Sequence, residues 1–424
     1  MRIRTLFRTS PAFMCLPIAV GITVLYYTQE TADQIRYFPY PWAPLLVQRP
    51  IEYLAAPAYA LVAALAAWTA ARVREAGTWQ LAAHRPTWQV IAQALVPVVT
   101  VGWLMFLASA AWAFTERPTW PTPASLAPLL LTWVLTVAWA VIGFTVGHRV
   151  KPLIAAPVLA CGVFVVVAYP HAVQPFYLRH LSGEYFAHLG VGESATFESM
   201  AAQMMPTLGV AAAVTLVWAR WKPVVRIVSA AVLVVAPALA GYSIVKDWDY
   251  NPSVNTHVAL ACHGTEPQVC LPENGAHDLP EVHAQVAEAF RILDAYAITT
   301  SLPSRVEDQM AYGRFTQRNT GRTVYMQLGI AHHKGGLDRS IVTSAVQFGC
   351  DADPHLARTI HFWLESKLGG ITPYARIAAG DPYYTRAQYR EAVATAERVS
   401  GLSTSEQKQW FDRTRTAACA GRPS

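Results

Sequence analysis

The sequence predicts a mainly α fold: a polytopic α-helical membrane domain over residues 1–245, then a helix-rich α/β extracytoplasmic domain over 246–424. Three observations lead there. Hydrophobic residues make up 53% of the 424-residue chain and charged residues 14%, against roughly 25% charged in soluble domains. The apolar content is concentrated before residue 245. Four of the six cysteines lie after it.

Seven apolar runs have the roughly 17–25 residues that a helix needs to cross a bilayer core: 11–27, 53–71, 90–114, 126–147, 153–169, 200–218 and 227–245. Tyr26, Tyr27 and Gln29 follow the first run without a small-x-small cleavage site, so it reads as a retained span rather than a signal peptide. The sixth becomes strongly apolar only from Pro206. Between the fifth and sixth runs, 170–199 sets Phe176, Leu178, Leu181, Phe186, Leu189 and Phe197 among polar residues. That stretch is too polar to span and too apolar for a simple loop. No Asp, Glu, Lys or Arg falls in the middle of any expected span. Midplane ionisable groups mark proton and cation relays, so an ion-coupled carrier is not expected.

Charge sets the orientation. With the N-terminus inside, the cytoplasmic segments carry 11 basic residues: Arg2, Arg4, Arg8, Arg72, Arg74, Arg85, Arg149, Lys151, Arg220, Lys222 and Arg226. The outer loops carry four: Arg36, Arg49, Arg117 and Arg179. This is the positive-inside bias, and an odd number of spans leaves 246–424 outside the cytoplasm. Residues 1–245 hold 15 basic and 8 acidic residues, residues 246–424 hold 18 and 19. The net +6 therefore sits on membrane loops, beside anionic headgroups. No basic patch with interleaved aromatics points to nucleic acid.

Between the second and third runs lies a polar island, Arg72 to Pro86, with three arginines against the single acid Glu75. Its order of residues, Glu75-Ala76-Gly77-Thr78, then Leu81 and Pro86, resembles the first cytoplasmic loop of ABC-2 type permeases. The resemblance implies a coupling helix that docks on a separate ABC ATPase subunit, with Arg72, Arg74, Glu75, Gly77, Thr78, Leu81 and Pro86 as the coupling residues. It also implies a six-helix core paired with a second permease, as homodimer or heterodimer, and short re-entrant helices where 170–199 stands. The seventh run exceeds that core and reads as an added anchor. Met1–Ser10 alternates Arg2, Arg4 and Arg8 with Ile3, Leu6 and Phe7; it reads equally as an interfacial helix or a plain basic tail. No G-x-x-x-x-G-K-[ST] phosphate loop occurs, so ATP hydrolysis belongs to a partner.

Cys15 and Cys161 fall inside expected spans and read as small apolar core residues. Cys262, Cys270, Cys350 and Cys419 all fall outside the cytoplasm, where an even count reads as two disulfides. Of three connectivities, Cys262–Cys270 and Cys350–Cys419 are favoured: the first closes a short loop, the second ties down the C-terminal helix.

In the outer domain Asp278 with Glu281 reads as the start of a helix carrying Leu279, Val282, Val286, Phe290, Ile292 and Leu293 on its apolar side. Residues 322–330 alternate as a strand. Asp353 before Pro354 opens a second helix, and Thr385 with Gln388 and Ser403 with Glu406 are capping boxes. Eight histidines (His257, His263, His277, His283, His332, His333, His355, His361) include the pair His332-His333, yet no H-E-x-x-H or G-x-S-x-G occurs. No metal, cofactor or catalytic residue is expected.

The expected function is thus the membrane subunit of an ATP-driven exporter of amphipathic or apolar substrates in a bacterial inner membrane, surrounded by membrane lipids. The bacterial reading rests on a bias toward Ala, Arg, Val and Pro with six lysines. The alternatives are a membrane-anchored surface protein with an outer binding or hydrolytic domain, or a toxin-immunity or sensor protein without transport.

Overall fold

The structure, a computed structural model, describes residues 10–38, 40–78, 86–184, 189–219, 221–250, 252–256, 258–296, 298, 303–315, 317–333, 335–346, 348–369 and 385–420. The chain forms two compact units, Met1–Leu189 with Glu193–Thr256, and Gly190–Gly192 with His257–Ser424.

The first unit is helical. Short helices α1 (Pro11–Met14) and α2 (Leu16–Tyr26) run through a π turn, Tyr27–Thr31, into α3 (Ala32–Tyr37). Then come α4 (Ala43–Glu75), α5 (Thr87–Glu116), α6 (Pro123–Arg149), α7 (Pro152–Ala168), α8 (Phe197–Thr215) and α9 (Pro223–Val245). Among the described residues six helical segments, α4 to α9 with α7 and α8 prolonged by 3-10 turns to His171 and Trp218, are long and apolar enough to cross a membrane. The run 11–27 is helical but broken, because Pro17 has no N–H to carry α1 into α2 and Cys15 sits at φ −88°, ψ 4° between them. No single helix there reaches span length. Helix α9 is the least covered, with only 6% of its apolar window buried and Val224, Ile227, Val228, Val235 and Leu239 exposed. A helix apolar all round is stable only in an apolar environment.

Helix α4 departs most from expectation. It starts ten residues before the expected 53, with Trp42 extended at its N-cap and Pro44 in the first turn, where its missing N–H does no harm. Its apolar window is 83% buried, the most of the six. Close approach makes this possible. A Cβ on Gly143 of α6 would lie 2.2 Å from the Ala63 carbonyl oxygen, and one on Gly147 would lie 2.3 Å from that of Ala67. The small-x-x-x-small rows Gly143/Gly147 and Ala63/Ala67 let the two backbones touch, the usual device of membrane helix pairs. Hydroxyls in the spans are satisfied locally: Thr69 donates to the Leu65 carbonyl at 2.8 Å and Thr136 to that of Thr132 at 2.6 Å. Cys161 is exposed on α7 rather than part of the core; Cys15 is half-buried and packs on it. A short antiparallel pair, β1 (Glu193–Ala195) with β2 (Ser253–Asn255), completes this unit.

The second unit has a four-stranded sheet in the order β3 (Leu260–His263), β4 (Gln268–Pro272), β5 (Arg305–Asp308), β6 (Thr323–Met326), the first pair antiparallel and the other two parallel. Helix α10 (Leu279–Ala295) follows β4, and α11 (Gly329–His333), α12 (Leu337–Ala345), α13 (Pro354–Lys367), α14 (Arg386–Ser400) and α15 (Thr404–Cys419) follow β6. Leu279, Val282, Val286, Phe290 and Leu293 of α10 meet Val269, Val306, Ile341, Phe362 and Trp363 in one core. The strand expected over 322–330 is cut to 323–326, because the fully buried Asp308 accepts from the backbone N of Gly329 at 2.8 Å and turns the chain into α11. Asp353 caps α13 by accepting from the N–H groups of His355 and Leu356, and the boxes at Thr385/Gln388 and Ser403/Glu406 both form. Asp278 makes no cap bond to α10, against expectation.

Candidate functional site

The expected coupling residues surround the C-terminus of α4. The amide of Ala76 bonds to the Arg72 carbonyl at 2.9 Å and that of Gly77 to the Arg74 carbonyl at 3.1 Å, ending the helix. Gly77 has φ +60°, which a side chain would strain. Arg72 and Glu75 are exposed, and Arg74 reaches sideways to donate to the His148 carbonyl, at the end of α6, at 2.6 Å. Arg72 and Thr78 line a cavity of about 340 Å³ with Pro11, Thr69, Val90 and Pro97. Pro86 is extended and leads into α5. Leu81, with the rest of 79–85, lies outside the described residues.

Toward the other end of α4 the structure builds a site that the sequence reading places in an outer loop. Glu52 lies four residues after Gln48 and three after Arg49, so each of the two side chains neighbours it on the helix surface. Arg49 is 4% and Glu52 3% exposed. The Gln48 Nε2 donates to Glu52 Oε2 at 2.7 Å, and Arg49 Nη1 lies 3.5 Å from the same oxygen. A second carboxylate, the buried Glu184, pairs with His171, with Nε2 and Oε2 3.3 Å apart. Glu184 and His171 lie within electrostatic range of Glu52, and Tyr59, fully buried about two turns along α4, is within range of Glu184.

Helix α8 holds the segment bearing Glu184 in place. The fully buried Gln203 donates to the Arg179 carbonyl at 3.2 Å and accepts from the Gly183 N–H at 2.8 Å. The 179–184 turn needs Gly183, at φ +87°. Two carboxylates, a guanidinium and an imidazole buried near one another can exchange a proton or hold a small cation, and the low dielectric around them strengthens their charge interactions. The sequence reading puts Arg49 and Glu52 in an outer loop before the expected span 53–71, whereas in the structure both belong to α4, toward its N-terminal end. The available signal was Gln48, Arg49 and Glu52 at helical spacing, with apolar residues 43–47 before them and 53–71 after.

On another face of the first unit, α5, α6 and α8 leave an apolar groove of about 820 Å³ lined by Trp88, Ile91, Val99, Trp103, Val141 and Trp218, among others. In the second unit the four cysteines pair as favoured, Cys262 with Cys270 at an S–S distance of 2.11 Å and Cys350 with Cys419 at 1.95 Å.

No protein-family model, curated protein or solved structure matches the chain.

Proposed function

We propose that this chain is the membrane subunit of an ATP-driven exporter of the ABC-2 type, coupled to a separate ATPase through residues 72–86 and moving an amphipathic or apolar substrate outward. One observation carries the reading. The proposed coupling loop begins on the most buried of the six long helices, and Arg74 ties it to α6 as well. A push on the loop would thus reach two packed helices at once. Helix α4 is about 50 Å long at about 1.5 Å per residue, long enough to carry displacement from Glu75 to the Glu52 cluster. The groove between α5, α6 and α8 suits an apolar substrate or the face of a second copy.

In this proposal the broken helical run 11–37 is the first of seven crossings, the N-terminus is cytoplasmic and the second unit extracytoplasmic. Two disulfides suit an oxidising compartment there. Purification from native membranes tests the proposal: an ABC ATPase should co-purify, and its ATPase activity should depend on this chain. Absence of any ATPase at stoichiometric yield would overturn it.

The second reading, an anchored surface protein, is favoured by a polar cavity of about 760 Å³ in the second unit, lined by Gln309, Arg318, Tyr325 and Arg339 among others. Ligand binding there without an associated ATPase would select it.

A further inference from the structure

The second unit brings together three metal-binding side chains that the sequence keeps apart. His277 and Asp278 close the 3-10 turn before α10, while His333 ends α11, 55 residues later. Nε2 of His277 lies 3.0 Å from Asp278 Oδ2, and Nε2 of His333 lies 3.8 Å from the same oxygen. One ligating atom from each of the three falls within 4.8 Å of the others. A tetrahedral zinc ion with bonds of about 2.0–2.1 Å sets its ligands about 3.4 Å apart, so the two measured separations bracket the required value. A second, independent observation concerns Asp278. It occupies the N-cap of α10, where an aspartate normally accepts from the first-turn amides, yet it makes no such bond and stands beside the two imidazoles. Next to the triad, Nε2 of His332 lies 4.0 Å from an Oε2 of Glu281, one turn into α10.

We propose that His277, Asp278 and His333 form a site for a divalent transition-metal ion, of which zinc is the test case. Two imidazoles with one carboxylate favour zinc, nickel or copper over calcium and magnesium, which take oxygen ligands. Three protein ligands leave a further position for water or for Glu281. Bound metal would clip α11 to the start of α10, two segments between which β5 and β6 intervene in the chain. The proposal does not depend on the transport reading.

The test uses the full-length protein in detergent, purified on a tag other than polyhistidine and stripped with chelator. Titration with zinc chloride near neutral pH should give one zinc per chain and a raised melting temperature, with no response to calcium or magnesium. His277→Ala, His333→Ala and Asp278→Asn should each weaken zinc binding by about tenfold or more, the scale that even outer-shell changes reach. His355→Gln should not, since that ring pairs with Gln388 at 2.8 Å instead. The His277 side chain is 68% and that of His333 44% exposed, so circular dichroism of the metal-free variants should match wild type. Zinc binding equal in wild type and in the His277→Ala and His333→Ala variants would overturn the site, as would no zinc binding by folded wild-type protein.

Discussion

The side-chain amide of Gln48 donates to the carboxylate of Glu52 at 2.7 Å, inside a helix that also buries Arg49. One carboxylate thus serves an amide and a guanidinium away from water. Removing one member of a buried ion pair leaves an uncompensated charge and costs about 3–5 kcal/mol, whereas replacing both with apolar residues is often neutral. Glu52→Gln and Arg49→Met should each lower the melting temperature of the detergent-solubilised protein markedly. The double variant Arg49→Met/Glu52→Leu should recover most of the loss. Single variants as stable as wild type would show that the pair does not brace α4.

The two disulfides should differ in strength. Cys350–Cys419 closes 69 residues and Cys262–Cys270 closes 8. The chain-entropy account of cross-links gives about 4 kcal/mol for the first and about 2.5 kcal/mol for the second. Cys419→Ser should therefore destabilise the second unit more than Cys262→Ser does, as read by denaturant unfolding. All four thiols should resist alkylation until reduced. Free thiols in the native protein would refute both bonds.

The second unit should be most stable at mildly acidic pH. Glu365 is buried, and neither carboxyl oxygen has a hydrogen-bond partner among the described residues. Burial pushes its pKa up to about 8, opposed by Arg339 and reinforced by Asp338. Burial, then Arg339 and Arg358, push His361 down to about 4. Unfolded chains titrate near about 4.3 for Glu and 6.5 for His. Folded Glu365 keeps a proton that the unfolded chain releases, so stability falls as pH rises from about 4.3 through 8. Folded His361 refuses a proton that the unfolded chain accepts, so stability also falls as pH drops from about 6.5 through 4. Glu365→Gln should remove the alkaline loss, slowing hydrogen exchange in α13 on the order of tenfold for each pKa unit relieved. The comparison is made with wild type at the same pH. Equal exchange in variant and wild type at both pH 5 and pH 8.5, about the two ends of that range, would refute it.

Helix placement is readable from the sequence wherever one physical signal dominates. Apolar length gives α5, α6 and α9 to within a few residues of the expected spans, because nothing in those runs competes with the bilayer. Where signals conflict, reading fails. Gln48, Arg49 and Glu52 look like a loop by polarity, which outweighs the three- and four-residue spacings to Glu52 that suit a helix; α4 carries all three. Capping boxes at Thr385 and Ser403 are local and form as expected. The cap at Asp278 does not, because two imidazoles lie beside its carboxylate, one of them brought by a segment 55 residues away. Both cysteine pairs were accessible from loop length and position, since small loops and terminal helices are where cross-links fit. Site residues assembled from distant segments, such as Glu52 with Glu184 or His277 with His333, leave no spacing to detect.

The end of α4 carries the last prediction. Gly77 at φ +60° lets the chain leave the helix immediately after Glu75. A β-branched side chain there is strained by about 1–3 kcal/mol, while asparagine tolerates the left-handed region. If the 72–86 loop transmits force, Gly77→Val should abolish transport and ATPase association, and Gly77→Asn should retain much of both. Glu75→Lys should abolish association as well, since the exposed carboxylate is replaced by a cation, but it adds to the positive-inside signal and leaves insertion intact. The control is Glu198→Lys, on the exposed first turn of α8; the nearby Glu193 is buried and would perturb folding instead. Membrane yield and labelling of a cysteine introduced at Ser405 from the outside of intact cells report insertion and orientation. Retained ATPase association in a correctly inserted Glu75→Lys protein would reduce the loop to a basic anchor and remove the main support for the exporter reading.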